Sequence, residues 1–321
     1  MESYANAGIS SLKGSQSRED RANRVCVLGG TGFLGSHVVD ELLRNSFHVS
    51  ILDQNGSNRW GAEVDFIRGS ILSSEALEEA MTGAVTVFNF AALADLGEAL
   101  NRPAETAEIN VLGNAKALEA AGCAGVRKFI YASTVYVNSR EGGFYRASKR
   151  AAEDYVREFR EQRGLPYVIA RYGSLYGPRS DMRNGLYQVV RRALESGTVS
   201  YVGSPDALRE YIHVQDAAHL TVSLTQSEFE NESVTITGMQ RMRVWDVLQM
   251  LSEILGLGGD VEFIEHDSQG HYVRTPYADV LVPSRKLLPI SHVDLGEGLL
   301  QLIGDIRAEG TRADHPDDER F

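Results

Sequence analysis

Residues 24–45 read RVCVLGGTGFLGSHVVDELLRN, and they combine a strand, a glycine-rich turn and a helix in immediate succession. The apolar run at 24–30 predicts a buried strand, and the apolar residues after the turn recur with helical period. Gly29, Gly32 and Gly35 let the backbone approach a pyrophosphate, while the helix N-terminus offers free N–H groups and a positive dipole end. A plain tight turn is the alternative, but glycines in this setting favour a dinucleotide site.

Apolar runs and helical segments continue to alternate as far as about residue 175. We predict strands at 48–53, 64–69, 85–92, 127–134 and 165–173, and helices at 73–81, 103–122 and 145–163. The runs are continuous rather than alternating, which predicts a parallel sheet buried on both faces by helices. The fold class is therefore α/β, a doubly wound parallel sheet of Rossmann type.

After about residue 175 the segments become shorter, which predicts a smaller C-terminal mixed α/β domain that supplies walls of a substrate cleft. Residues 23–177 are assigned to the cofactor-binding domain and 178–307 mainly to the substrate-binding domain, with the chain free to cross back. Residues 1–22 and 308–321 are rich in small and charged residues and are expected to be flexible tails.

The overall charge excludes some classes of partner. A net charge of −12 over 321 residues argues against a nucleic-acid groove, although local arginines can still bind a small anionic substrate. No window is long and apolar enough for a membrane span, and the first 22 residues lack the apolar segment of a secretory signal. The histidines show no metal-ligand spacing. We therefore expect a cytoplasmic protein with no metal, no nucleic-acid partner and no membrane partner.

Asp53 ends the second predicted strand, 18 residues after Gly35. A carboxylate at this position accepts hydrogen bonds from both adenosine ribose hydroxyls and repels a 2′-phosphate, so it favours NAD over NADP. A turn Asp in DQNGSN is the alternative, and Arg59 lies close enough in sequence to act against the preference for NAD.

Tyr145 and Lys149 occur in FYRASKRAAEDYV at 144–156, and their spacing of four places both on one helix face. The pair is either a surface tyrosine packed over a lysine stem or a catalytic acid/base with an electrostatic partner. The residues of this segment alone do not decide between the two.

Between residues 24 and 305 the chain resembles the extended short-chain dehydrogenase/reductase family, the NAD-dependent nucleotide-sugar epimerases and dehydratases. The segments that carry the resemblance are GGTGFLG at 29–35, FNFAA at 88–92, NVLGNAKALEAA at 110–121, FIYAST at 129–134, Tyr145 with Lys149, RYGSLYGPR at 171–179 and REYIHVQDAA at 209–218.

The resemblance implies a role for each matching residue. Tyr145 would shuttle a proton at a sugar hydroxyl, Lys149 would lower the pKa of Tyr145 and hold the nicotinamide ribose, and Thr134 would share the proton of the substrate hydroxyl. Asn110 would support the active-site backbone. The implied NAD-binding residues are Gly29, Gly32, Phe33, Leu34, Gly35, Asp53, Ser70, Ile71, Ala91, Ala92, Asn110, Tyr145, Lys149 and Tyr172. The implied substrate-binding residues are Thr134, Ser174, Arg209 and Arg274.

The residues after Thr134 bear on the type of reaction. Dehydratases of this family usually carry an acidic pair there and related decarboxylases a nearby Glu, whereas this chain has Val135 and Tyr136, with Glu141 further on. This difference favours epimerisation of a nucleotide-diphosphate sugar, most simply at C4 through a transient 4-keto sugar. A dehydratase, a 4-keto-sugar reductase and a non-catalytic dinucleotide-sensing protein remain as alternatives. The helices at 103–122 and 145–163 are expected to form a homodimer through a four-helix bundle.

Overall fold

The computed structural model of the chain describes residues 23–264 and 283–314. The strands in chain order are β1 (Arg24–Leu28), β2 (His48–Asp53), β3 (Val64–Arg68), β4 (Thr86–Asn89), β5 (Lys128–Thr134), β6 (Tyr167–Tyr172), β7 (Ser174–Tyr176), β8 (Val199–Val202), β9 (Leu208–Arg209), β10 (Tyr211–His213), β11 (Glu232–Ile236), β12 (Met242–Arg243), β13 (Val261–Ile264) and β14 (Arg285–Leu287).

The helices cover the sheet and build the second part of the chain. In chain order they are α1 (Phe33–Arg44), α2 (Ser74–Met81), α3 (Leu96–Asn101), α4 (Pro103–Ala107), α5 (Asn114–Cys123), α6 (Gly143–Arg163), α7 (Gly185–Ser196), α8 (Val214–Ser223), α9 (Val244–Ile254) and α10 (Leu295–Asp314). Single 3₁₀ turns lie at Gly61–Glu63, Val135–Asn138 and Ser227–Phe229, and Glu108–Gly113 is a π-helical segment.

The main sheet is parallel and has the order β14-β11-β6-β5-β4-β1-β2-β3. Every residue of the central strand β5 is buried, which explains its continuous apolar run. One face packs against α1 and α8, and the other against α2, α5 and α6. These observations confirm the predicted doubly wound α/β fold.

The strand order reverses between β1 and β4, since chain progression runs outward from β1 to β3 on one side and from β4 to β6 on the other. In open α/β sheets a ligand crevice forms beyond the carboxyl ends of the strands at such a switch point. The glycine loop after β1 and the residues after β4 and β5 therefore meet at one edge of the sheet.

A second apolar cluster is formed mainly by α7, α9 and α10, next to three two-stranded sheets. The chain crosses back from this part, because β11 pairs with β6 in the main sheet and β14 pairs with β11. The division near residue 177 remains a prediction about domains.

Three predicted boundaries differ from the structure. The fourth strand is shorter than 85–92, because Ala91 and Ala92 leave the sheet to pass beside the glycine loop. The helix at 103–122 is divided into α4, the π-helical segment and α5. Residues 308–314 of the tail expected at 308–321 are helical, since α10 continues through Asp314. Its last turns are fastened by a bond of 2.6 Å from Tyr187 to Glu309.

Candidate active site

A cleft of about 840 Å³ opens at the carboxyl ends of β1, β4, β5 and β6. The predicted site residues that line it are Gly29, Gly32, Phe33, Leu34, Gly35, Ala92, Thr134, Tyr145, Lys149, Tyr172, Ser174 and Arg209. Those not found among the lining residues are Asp53, Ser70, Ile71, Ala91 and Asn110. Arg274 lies outside the described residues.

Each of the three glycines in the loop after β1 has different surroundings, and together they suit a dinucleotide-binding turn. Gly29 has φ of +74°, and a Cβ there would lie 2.7 Å from the backbone nitrogen of Ala91. A Cβ on Gly35 would lie 2.2 Å from the Gly29 oxygen, so this glycine allows the helix to pack on the strand. A Cβ on Gly32 would meet the Gly29 oxygen only at 3.4 Å, so protein packing does not require this glycine. Its missing side chain instead leaves the backbone open to the cleft.

The N-terminus of α1 is also available to a ligand. Its N-cap residue is Gly32, so no side chain caps the first N–H groups. Phe33, Leu34 and Gly35 form this first turn and line the cleft. Uncapped N–H groups at a helix N-terminus bind phosphate oxygens well.

Asp53 is held beside the glycine loop. Its Oδ2 accepts hydrogen bonds from the backbone nitrogen of Thr31 at 3.0 Å and from Thr31 Oγ1 at 2.6 Å, and its Oδ1 accepts from Asn55 at 3.1 Å. An ionised carboxylate has about four acceptor positions, so this one keeps capacity for a ribose hydroxyl.

The charges that act on Arg59 belong to Arg179, Asp40 and Asp305. Burial and the charge of Arg179 lower the pKa of Arg59, whereas Asp40 and Asp305 raise it. Arg59 therefore faces a charged group that includes Asp40 on α1.

Three further predicted residues lie behind the cleft wall. Asn110, in the π-helical segment, accepts from Leu93 N at 2.8 Å and donates to Leu93 O at 3.0 Å and Ser148 Oγ at 2.9 Å. It thus ties the backbone after β4 to α6. The Ser70 hydroxyl accepts a hydrogen bond from Leu72 N at 3.2 Å. Ile71 is buried, and a Cβ added to Gly113 would lie 2.7 Å from its side chain.

Tyr145 and Thr134 meet at the inner end of the cleft. Tyr145 is half-buried in the first turn of α6, and Thr134 is buried at the end of β5. Burial raises the pKa of Tyr145 to about 12, while its hydrogen bond with Thr134 acts to lower it. Desolvation is the larger of these two effects on the pKa of Tyr145.

Lys149 lies one helical turn further along the same face and is buried. Its Nζ donates to the carbonyl of Ala132 at 2.8 Å and lies 4.9 Å from the centre of the Tyr131 ring. Burial lowers the pKa of Lys149 to about 7, and the charge of Glu153 acts to raise it. The structure thus supports the active-site interpretation over an exposed tyrosine–lysine pair.

Three other predicted residues also line the cleft. Ser174 begins β7, and Arg209 is buried in β9 with a bond of 2.9 Å to the Leu208 carbonyl. Tyr172 lines the cleft, and its hydroxyl bonds with Thr221 Oγ1 at 2.7 Å in the interior.

The charged residues at the mouth of the cleft were not predicted from the sequence. The mouth is the part of the cleft lined by Asp95, Glu98, Asp181 and Arg183, where Asp95 and Glu98 lie close enough to act on the charge of Arg183. Asp95 caps α3 through a bond of 2.7 Å from Glu98 N, and Arg183 pairs with Asp181. No motif marked these residues, although DMR at 181–183 shows opposite charges close together.

Within residues 23–264 and 283–314, no group of three or more His, Cys, Asp or Glu side chains is placed to hold a metal ion. Over the same described ranges, no helix combines the length and the apolar character that a membrane crossing requires.

Comparison with known proteins places this geometry in context. The model of the family described as "NAD dependent epimerase/dehydratase" matches residues 25–236. A putative UDP-glucose 4-epimerase from Methanocaldococcus jannaschii is 25% identical over 300 residues, which are 87% of this chain and 97% of that protein. A UDP-N-acetyl-alpha-D-glucosaminuronate decarboxylase from Bacillus cytotoxicus is 26% identical over 297 residues, covering 82% of this chain and 88% of that protein.

A solved structure shows the same fold. The UDP-glucose 4-epimerase of Thermotoga maritima, determined with UDP-glucose, superimposes with a TM-score of 0.77 at 25% identity. The match covers 89% of this chain and 99% of that one.

Proposed function

The chain belongs to the NAD-dependent epimerase/dehydratase family, and from this premise we propose that it epimerises a nucleotide-diphosphate sugar, most simply at C4 through a transient 4-keto sugar. NAD is the cofactor of this family, which confirms the cofactor predicted from the sequence. The observation that carries the proposal is the grouping of Thr134, Tyr145 and Lys149 in the cleft that the glycine loop also lines, with Tyr145 hydrogen-bonded to Thr134.

The residues at this inner end have separate tasks. Tyr145 takes the proton from the sugar hydroxyl as that carbon is oxidised and returns it after reduction. Thr134 shares this proton through its bond with Tyr145. Lys149 stabilises the ionised tyrosine by its positive charge. When bound, NAD supplies the acceptor and then the donor of the hydride.

The position of Glu141 supports epimerisation over dehydration. Its side chain is exposed, its backbone nitrogen bonds to Ser139 Oγ at 2.9 Å, and it is not among the lining residues of the cleft. Elimination of a hydroxyl needs a proton donor aimed at the leaving oxygen. The residues directly after Thr134 are Val135 and Tyr136, which carry no carboxylic acid.

The acids that do line the cleft lie at its mouth and are already engaged. Asp95 caps α3, Glu98 pairs with Arg102, and Asp181 pairs with Arg183, whose side chain lowers the pKa of Asp181. A carboxyl group with a lowered pKa is a poor proton donor at neutral pH. Epimerisation needs no such donor.

The nucleotide-diphosphate part of the substrate is assigned to the outer cleft. The T. maritima epimerase structure contains UDP-glucose, which supports a substrate of this class here. Arg209 lines the cleft, and a guanidinium group suits a diphosphate. Ser174 and Arg274 remain predicted substrate-binding residues.

The proposed homodimer uses the faces of α5, the π-helical segment and α6. Leu112 in the π-helical segment and Tyr155 on α6 are half-exposed, as is Phe144 at the start of α6. Large apolar side chains in this position are typical of an interface. Sedimentation at micromolar concentration is expected to give a dimer, and a monomer would contradict this assignment. The cytoplasmic location stays a prediction.

The function is tested with purified protein, NAD and a panel of UDP-, dTDP-, GDP- and CDP-sugars, with products identified by NMR and mass spectrometry. The proposal expects an isomer with unchanged mass and no net NADH. A product lighter by one water would contradict it and indicate a dehydratase. Net consumption of NADH with a keto sugar would indicate a reductase.

A further inference from the structure

Helix α6 carries Tyr145, Lys149 and Glu153 one turn apart on a single face. Each is bonded to one of three consecutive residues of β5. Tyr145 bonds with the Thr134 side chain, Lys149 donates to the carbonyl of residue 132, and Glu153 accepts from Ser133 Oγ at 2.6 Å. The first two contacts belong to the catalytic group, whereas the third has no assigned purpose.

Glu153 is a buried carboxylate with both oxygens occupied. Its Oε1 accepts from Ser133 and from Arg171 Nε at 2.8 Å, and its Oε2 accepts from Arg171 Nη2 at 2.7 Å and Arg157 Nη2 at 2.8 Å. Arg171 has no exposed surface, and Glu153 is 1% exposed. Replacing a buried ion pair with apolar residues often leaves stability unchanged, so stability alone does not explain these charges.

Each element packed around Lys149 places different groups near its side chain. On α6 it has Tyr145 and Glu153 one turn away on either side. From β5 come the Tyr131 ring and the Ala132 carbonyl. Arg171 on β6 and Arg157 on α6 are bound to Glu153. The polar side chains of the π-helical segment and α5 next to α6 are Asn110, bonded to Ser148, and Asn114, bonded to the Ala152 carbonyl, both uncharged. Asp95 and Glu98, on the α3 side, lie at the mouth of the cleft.

We propose that Glu153 is a positioning residue for Lys149. Its carboxylate supplies a counter-charge that favours the ammonium form of Lys149, and its bond to Ser133 holds β5 so that the Ala132 carbonyl and Thr134 stay within reach of α6. This inference rests on the role proposed above for Lys149.

The electrostatics agree with this arrangement. Burial alone would discharge Lys149, and Glu153 is the charged group that acts in the opposite direction. Although burial raises the pKa of Glu153, its bonds with Arg171, Ser133 and Arg157 lower it overall, so the counter-charge is present at neutral pH.

The test measures the protonation of Lys149 directly. The chain contains five lysines, at 13, 116, 128, 149 and 286, so protein labelled with ¹³C at the lysine ε-carbon gives few signals. The Lys149 signal is assigned with K149R and followed against pH in NAD-saturated protein. This readout does not need turnover, so failure of the epimerase proposal would leave it interpretable.

Two variants should move this titration in opposite directions. E153Q keeps the shape and removes the counter-charge, so the pKa of Lys149 should fall by about one pH unit. R171Q removes a neighbouring cation while Glu153 keeps Ser133 and Arg157, so the pKa should rise, by at most about one pH unit. The signals of Lys116 and Lys128 serve as internal controls and should not move.

A purely structural role predicts a different result. Loosened packing would shift the pKa of Lys149 in the same direction in both variants or leave it unchanged. Either outcome would overturn the proposal. Should E153Q fail to fold, R171Q alone decides, because Glu153 keeps two of its partners there. A rise in the pKa of Lys149 supports the proposal, and no rise contradicts it.

Discussion

The inner end and the mouth of the cleft are built in different ways. At the inner end Thr134, Tyr145 and Lys149 are carried by β5 and α6, and the two elements are joined by bonds between buried or half-buried groups. At the mouth, Asp181 and Arg183 sit on a loop, with side chains 49% and 65% exposed. Groups held by regular elements keep a fixed geometry, whereas loop groups in water interact weakly.

This difference assigns the proposed acid/base chemistry to the inner end of the cleft and substrate recognition to its mouth. Acid/base work needs one geometry and a low dielectric, which only the inner end provides. Changes there should affect the rate by orders of magnitude, and changes at the mouth should affect it slightly. The following variants test that contrast.

The largest effect is expected for Tyr145→Phe. Phe keeps the ring packing and removes only the hydroxyl, so kcat should fall by about 10²- to 10⁴-fold while NAD remains bound. Steady-state kinetics and NAD titration measure the two quantities. Glu141→Gln is the matched control, since Glu141 is exposed and does not line the cleft, and it should keep full rate. A Tyr145→Phe enzyme near full rate would remove Tyr145 from the mechanism.

The glycine loop offers a paired test of packing against binding. Ala at position 35 would place its Cβ 2.2 Å from the Gly29 oxygen, so Gly35→Ala should destabilise the fold by about 1–3 kcal/mol or more. Gly32 has φ of −69°, which Ala adopts readily, so Gly32→Ala should fold normally and bind NAD about tenfold more weakly. Thermal unfolding and NAD titration separate the two. Unchanged NAD affinity in Gly32→Ala would show that the cofactor does not approach this backbone.

A smaller effect is expected for Asp53→Ala. Loss of the carboxylate removes both an acceptor for ribose and the repulsion of a 2′-phosphate, so the preference for NAD over NADP should narrow by about tenfold. Arg59→Ala should leave the ratio unchanged, because Arg59 faces the group around Asp40. Binding of both cofactors is measured by titration. An equal preference in wild type and Asp53→Ala would exclude Asp53 from cofactor selection.

The smallest effect is expected at the mouth. Arg183→Gln breaks an exposed pair with Asp181, so KM should change by at most about fivefold with kcat unchanged. A large loss of kcat would mean that the mouth takes part in chemistry, and the contrast between the two ends would fail.

The residues at the inner end could be predicted from the sequence, because in a helix or beside a strand the spacing of residues determines where their side chains lie. A separation of four places Tyr145 and Lys149 on one helix face, and the glycine spacing after β1 predicts a phosphate-binding turn. The fold followed for the same reason, since continuous apolar runs identify buried parallel strands.

The ion pair between Glu153 and Arg171 could also have been predicted from the sequence. Arg171 interrupts the apolar strand VIARYG, and a charge in a buried strand needs a partner. Glu153 lies on the same helix face as Lys149, one turn further on. No such rule applies to the mouth, where tertiary folding brings residues 95–98 and 181–183 together from distant parts of the chain.

The central claim is transient oxidation and re-reduction at one carbon, and a substrate deuterated at that carbon tests it most directly. Wild-type protein with NAD and a C4-deuterated nucleotide sugar is followed by NMR and mass spectrometry. Our account predicts an isomer of unchanged mass that keeps its deuterium at C4. Deuterium on a carbon that has lost its hydroxyl, together with loss of one water, would contradict the account and show a dehydratase.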